Sequence, residues 1–289
     1  MSRFERILFP IDFSERSRAA APFVLSMAQR YQAHVVLMHV LQPPMPFYMG
    51  ANTIYPEAYD FAGPSEDLRA ELHKFAESEL PKVEITCVVE TGDAAGEISA
   101  YAGSEKIDLI AMPTHGYGPF RRALLGSVTA KILHDVNVPV WTAAHAPEAS
   151  HRAHPKPRHI LCAIDLKPES RHTLAFAIEL AGDSEATVEV VYAAHEGEVD
   201  PSHSERKLQD LLVEAGRTRL VKIEEETEGS EVQEAVNAGT VAHMVRTVAL
   251  AKRSDLVVIG RGEIHHTFGR LRANAYSIVR EAPCPVLSV

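Results

Sequence analysis

Residues 7–14 read I-L-F-P-I-D-F-S, and residues 160–167 read I-L-C-A-I-D-L-K. This stretch decides the fold, because the chain is written twice around it. Asp12 pairs with Asp165 at an offset of 153, and so do Phe23 with Phe176, Ala28 with Ala181, and Val40 with Ala193. Further along, Gly92 pairs with Gly239 and Asp108 with Asp255 at 147, and V-P-V at Val138 pairs with C-P-V at Cys284 at 146. An offset that drifts so little marks two copies of one domain of ordinary size. The expected boundaries are a first domain over 1–145, a linker over 146–157 and a second domain over 158–289. Residues 145–157 carry three prolines and little apolar content, as a linker does.

Composition narrows the function classes. The chain has 289 residues, of which 46% are hydrophobic, enough for two cores. No apolar run reaches the ~18 residues a membrane span needs, so no membrane partner is expected. The start, M-S-R-F-E-R, enters a strand-like run with no signal-peptide core. The three cysteines, Cys87, Cys162 and Cys284, are odd in number and each sits in an apolar run. Buried reduced thiols, and with them the cytoplasm, are the expectation. Net charge is −10 and no basic stripe occurs, which argues against nucleic acid. The 15 histidines lack ligand spacing and read as solvated or core residues, not a metal site.

Each half alternates apolar, β-branched runs with helix-period segments. The predicted strands are 6–11, 34–40, 84–90, 109–113 and 138–143 in the first half. In the second they are 159–164, 187–193, 220–224, 255–260 and 285–289. The runs are mostly continuously apolar, as in a parallel sheet covered on both faces. Between them, Ala21, Val24, Leu25 and Ala28 form one helical face; Leu68, Leu72, Phe75 and Ala76 a second; Ala95, Ile98 and Ala102 a third. Leu124, Leu125, Val128, Ile132 and Leu133 form the last. The alternation predicts α/β architecture: two tandem open parallel sheets with helices on both faces. Residues 43–67 fit neither period. They hold Phe47, Tyr48, Tyr55, Tyr59 and Phe61, too many aromatics for a purely solvated loop, and read as a nucleotide lid or an interface.

In such a sheet, ligands bind beyond the carboxyl ends of the strands. After the first strand comes P-I-D-F-S, with Pro10, Asp12 and Ser14. After the fourth comes M-P-T-H-G-Y-G-P-F-R-R-A-L-L-G-S-V, where Gly116, nine residues, and then Gly126-Ser127 open a helix. A helix start offers free N–H groups, glycine lets a phosphate approach, and Ser127 can cap the helix or donate to a phosphate oxygen. The pattern is a nucleotide-phosphate cradle without a P-loop lysine. Asp12 has a second reading, a cap on the first helix. Arg121 and Arg122 read either as γ-phosphate contacts or as a solvated helix edge, and His115 as a loop residue.

With these motifs in order, the whole chain resembles a tandem universal stress protein. P-I-D-F-S, V-V-L-M-H-V at Val35, G-D-A-A-G-E-I at Gly92, the H-G…L-L-G-S-V run from His115 and V-P-V at Val138 carry the resemblance. It implies five-stranded parallel sheets in the order 3-2-1-4-5 and an ATP site, with a divalent cation such as Mg. Pro10 and Asp12 would line the nucleoside, with Asp12 on a ribose hydroxyl. Val40 would meet the adenine, and Met112 and Pro113 would flank ribose and base. Gly116, Gly126, Ser127 and Val128 would contact phosphate. Pro113 stands where the family has its first glycine, and proline removes an N–H there.

The second half departs further. Gly126-Ser127-Val128 become Arg272-Ala273-Asn274, Gly116 becomes Glu263, and Pro10 becomes Ala163, while Gly260 stands where the first half has Pro113. An acidic residue in the cradle repels a triphosphate. The expectation is a stress-response regulatory protein with one nucleotide site, in the first half, that binds ATP without being an enzyme; slow hydrolysis stays open. The alternative is an interaction module without nucleotide. The resemblance also implies pairing of last strands, giving a pseudo-twofold arrangement of the halves and a homodimer.

Overall fold

The computed structural model describes residues 4–42, 47–49, 52–54, 62–114, 125–143, 156–165, 170–192, 233–234, 241–261 and 270–289. These fall into two compact units. The first holds the chain up to Met112 together with Ser127–Val138; the second holds Pro139–Val289 with Pro113, Thr114, Leu125 and Gly126.

The first unit is built on β1 (Arg6–Pro10), β2 (His34–Leu41), β5 (Ile85–Thr91) and β6 (Leu109–Met112). They run parallel in the order β6-β1-β2-β5. Register pairs Ile7 with both Val35 and Leu109. Ile7, Leu8, Phe9, Val35, Val36, Leu37, Leu109 and Ile110 are fully buried, the signature of strands covered on both faces. The helices are α1 (Glu15–Tyr31), α2 (Ala62–Glu79), α3 (Ala94–Ser104) and α4 (Ser127–Asp135). Phe75 of α2 meets Phe9 edge-on at 6.2 Å, and the Arg18 guanidinium of α1 lies 5.6 Å over the Phe75 ring. That places α1 and α2 on one face of the sheet. Helix α3 packs beside α4. Of the predicted faces, Ala21, Val24, Ala28, Leu72, Phe75, Ala76, Ala95, Ile98, Ala102, Ile132 and Leu133 are buried; Leu125 precedes α4 instead of joining its face, and Leu124 lies outside the described residues. Leu25 and Val128 are half-buried, while Phe23 and Met27 take the deeper places on their side of α1.

The second unit contains β7 (Val140–Thr142), β8 (His159–Ile164), β9 (Thr187–Tyr192), β10 (Gln233–Glu234), β11 (Leu256–Ile259) and β12 (Val286–Ser288). Its order is β10-β9-β8-β11-β12-β7, parallel except for the last step. Reading β10 to β12, this is the 3-2-1-4-5 order. Strand β7 pairs antiparallel with β12, Trp141 opposite Leu287, and the buried Thr142 hydroxyl donates to Val286 O at 3.1 Å. The helices here are α5 (Ser170–Ser184), α6 (Val241–Ala251) and α7 (Arg270–Glu281). Arg246 Nη1 of α6 donates to the Glu281 carbonyl at the end of α7, 2.9 Å away, as a cation at a helix C-terminus should.

The repeat extends into backbone conformation. Gln32 and Glu185, 153 positions apart, both take left-handed φ, 52° and 53°; Lys106 and Arg253, 147 apart, take 51° and 55°. Gln32 ends α1 by donating its N–H to Ala28 O. The two aspartates matched at 147 share a role. Asp108 Oδ2 accepts from the N–H groups of Glu5 (2.8 Å) and Arg6 (2.9 Å), and Asp255 Oδ2 from those of Arg158 (2.8 Å) and His159 (3.1 Å). Each carboxylate fastens the start of its unit's central strand to the neighbouring strand.

Two expectations change. The 43–67 stretch is not without period: β3 (Phe47–Met49) and β4 (Asn52–Ile54) pair antiparallel, Tyr48 opposite Thr53, and α2 begins at Ala62. Pro64 hides that start, yet proline suits the first turn, whose N–H groups have no intrahelical acceptor. Tyr55, Tyr59 and Phe61 lie outside the described residues. The strand beside β9 is Gln233–Glu234, and 220–224 lies outside the described residues. The 147 offset of this part of the repeat, carried from β5, points to the region of Gln233, whereas apolar content alone points to 220–224.

Candidate functional site

The carboxyl ends of β6, β1 and β2 lie side by side in the first unit. They bring together Met112, Pro10 and Val40, of which the first two are buried and Val40 is half-buried. Beyond Pro10 the chain is held tightly. Ile11 N–H donates to Met38 O at 2.8 Å, extending the β1–β2 ladder by one step. Phe13 then takes φ 61°, a costly conformation for an aromatic residue. Two contacts offset that cost: Asp12 Oδ1 accepts the Ser14 N–H at 3.1 Å, and the Phe13 ring lies 4.9 Å from the His39 ring, tilted by 39°. His39 Nδ1 is 2.8 Å from Ile11 O, and a carbonyl only accepts, so Nδ1 carries the proton.

Asp12 does cap, but indirectly. The N-cap of α1 is Ser14, whose side chain accepts from Ser17 N–H. Ser17, fully buried, donates its hydroxyl to Asp12 Oδ1 at 2.8 Å and accepts from Asp12 N–H at 3.3 Å. The second unit repeats the arrangement: Ser170 donates to Asp165 Oδ1 at 2.9 Å and accepts from Asp165 N–H at 3.4 Å. A feature present where the glycine motif is gone is a fold device. It leaves the Asp12 carboxylate, with about four acceptor positions, fixed in orientation at the strand end.

The phosphate residues divide. Helix α4 opens at Ser127, which is exposed, and Val128 is half-buried beside it. Their N–H groups lie in the first turn and have no intrahelical acceptor. In the second unit, Gly126 N–H donates to Thr114 O at 2.9 Å, so it is already engaged; Pro113 and Thr114 are buried. Gly116, His115, Arg121 and Arg122 lie outside the described residues.

An ion pair that the motif search passed over adjoins α4. Asp93, the N-cap of α3, accepts from Gly96 N–H at 2.9 Å with Oδ2, and the same oxygen is 2.9 Å from Lys131 Nζ of α4. The Lys131 hydrogen bond, then the Gly96 N–H, hold the Asp93 carboxyl below its ordinary value, and Asp93 in turn raises the Lys131 ammonium. Because Asp93 follows β5 directly, this contact places the start of α4 on the carboxyl side of the sheet.

In the second unit α7 begins at Arg270, three positions earlier in the repeat than α4. Arg272 therefore lies in the first turn of α7, and Ala273 and Asn274 follow it in the helix. Glu263 lies outside the described residues. Gly260 has a packing reason: a Cβ there would sit 2.5 Å from Thr173 Oγ1 of α5.

An adenine nucleotide fits what the first unit offers: an apolar strand edge, an oriented carboxylate, the helix-start N–H groups of Ser127 and Val128 and an exposed hydroxyl. No group of three or more His, Cys, Asp or Glu suited to a metal occurs among the described residues. A magnesium ion would lean on nucleotide oxygens and water, as that ion commonly does. Also among the described residues, no helix is long and apolar enough to cross a membrane.

Ser17 and Ser170 were findable from sequence, since they share the 153 offset. His39 and Phe13 gave no periodic signal, and the Asp93–Lys131 contact joins residues 38 positions apart.

The chain was compared with known proteins. The universal stress protein family profile matches twice, over residues 3–143 and 156–289. Universal stress protein A homolog 1 of Coxiella burnetii is 31% identical over 138 residues, 46% of this chain and 95% of that protein. A universal stress protein structure from Archaeoglobus fulgidus superposes with TM-score 0.66 at 20% identity, covering 98% of this chain and 95% of the other. One from Pseudomonas aeruginosa, a putative universal stress protein, gives 0.62 at 18%, covering 99% and 93%. These structural likenesses speak for the fold. With two family matches that together take in nearly all of its residues, the chain belongs to the universal stress protein family as a tandem member.

Proposed function

We propose that this protein is a stress-response regulator whose N-terminal half binds an adenine nucleotide, ATP foremost, and whose C-terminal half does not. One observation carries the reading: α4 opens at Ser127, immediately after Gly126, whereas α7 runs through the matching positions. The first half therefore keeps glycine and serine at a helix mouth that a phosphate can approach, whereas in the second half the helix starts three positions earlier and Arg272, Ala273 and Asn274 stand at the matching positions. Adenine would lie against Val40 and Met112, the ribose by Pro10, Asp12 and Pro113, and the phosphates by Gly116, Gly126, Ser127 and Val128. The protein would bind and not turn over its ligand, and would act as a cytoplasmic homodimer.

A competing reading, an interaction module without nucleotide, draws support from Pro113, which has no N–H, and from the engaged Gly126 N–H. Titration calorimetry of the full chain separates the two. The nucleotide reading expects ATP binding that Gly126→Val abolishes by blocking phosphate approach. Equal binding by wild type and variant, or none by wild type, contradicts it. ATP turnover above background that Ser127→Ala removes contradicts the non-catalytic part.

A further inference from the structure

The ion pair between Asp93 and Lys131 bears on which nucleotide the first unit prefers, and the argument rests on the nucleotide reading just given. Lys131 lies four residues after Ser127, so both occupy one face of α4. Helical side chains lean toward the helix N-terminus, which carries the Lys131 ammonium back toward the mouth at Ser127. Asp93, capping α3 at the carboxyl end of β5, holds it 2.9 Å away. Both side chains are exposed, and such pairs contribute little to stability, so the lysine exchanges partners readily. A terminal phosphate, with more charge and more acceptor oxygens than one carboxylate, is the stronger partner.

The repeat supplies an internal control. The positions matching Asp93 and Lys131 in the second half are Thr240 and Ser277. The pair is absent from the half whose glycine-serine motif is absent, whereas the Asp12–Ser17 and Asp108 devices, which serve the fold, occur in both. We propose that Lys131 is the residue that reads phosphate number: on binding it leaves Asp93 for the outer phosphates of a nucleoside di- or triphosphate. Asp93 stays in place through Gly96 N–H, so α3 keeps its cap.

Titration calorimetry on the full chain with adenosine, AMP, ADP and ATP tests this. Lys131→Met should weaken ATP binding by roughly tenfold or more, the scale of one charge-assisted hydrogen bond, and leave adenosine and AMP within about twofold. Asp93→Asn keeps the cap, since Asn caps as well as Asp. It removes the competing charge and should tighten ATP while leaving AMP unchanged. If ATP binds wild type and Lys131→Met alike, or if Lys131→Met weakens all four ligands equally, the role of Lys131 is overturned while nucleotide binding stands. If wild type binds none of the four, the nucleotide reading falls and takes this inference with it.

Discussion

Ser17 donates its hydroxyl to Asp12 at 2.8 Å, and 153 positions later Ser170 does the same to Asp165 at 2.9 Å. The bond joins the end of each unit's central strand to the first turn of the next helix. Its presence in both halves separates the fold's needs from the ligand's. Ser17→Ala and Ser170→Ala should each cost about 1–3 kcal/mol, the range for losing a buried charge-assisted hydrogen bond. Urea unfolding of the single variants checks this, and an unchanged midpoint for both would contradict it.

The Asp108 and Asp255 carboxylates each accept two strand-start N–H groups. Asp→Ala at either position leaves two N–H groups without that acceptor. Each variant should unfold at clearly lower denaturant, by about 2–4 kcal/mol. Nucleotide affinity below the transition should not change. A large affinity loss in Asp108→Ala with unaltered stability would overturn the fold role.

Gly260 and Thr173 make a second structural pair. Gly260→Ala should destabilise by about 1–3 kcal/mol through overpacking on Thr173 Oγ1. Adding Thr173→Ala removes that oxygen and should restore most of the loss. A double-mutant cycle reads the coupling; additive losses would contradict the contact.

Burial pushes the Cys162 thiol up to about 12. A thiol whose folded value exceeds its unfolded value, near 8.5, stabilises the fold fully below that pH. The contribution is lost as pH rises from there toward 12. Native protein at pH 8 should therefore resist alkylation at Cys162, while Cys87, half-buried, labels first. Peptide mapping after iodoacetamide treatment checks the order; Cys162 labelled ahead of Cys87 would contradict it.

Much of this was legible in the chain because the central sheet strands are mostly apolar and the duplication lets one half index the other. The Asp108–Asp255 match and the helix start at Gly126-Ser127 came from sequence alone. The hairpin of Phe47–Met49 with Asn52–Ile54 did not, because strands of three residues show too little alternation to read. Nor did the α2 start, where Ala62, Gly63 and Pro64 read as a loop although the first turn tolerates them. The motif marks Gly126 as a place where phosphate can approach; that its N–H is directed to Thr114 is a pairing that spacing does not reveal. Asp93–Lys131 and Phe13–His39 are contacts between elements distant in the chain, where periodicity carries no information.

The central claim is that one half binds nucleotide and the other does not. Equilibrium dialysis of the purified full chain against radiolabelled ATP counts sites directly. The account expects one ATP per chain, falling to none in Gly126→Val and staying at one when Arg272, the matching residue of the second half, is changed to Val. Two sites per chain, no site, or a single site lost through Arg272→Val and kept in Gly126→Val would contradict it.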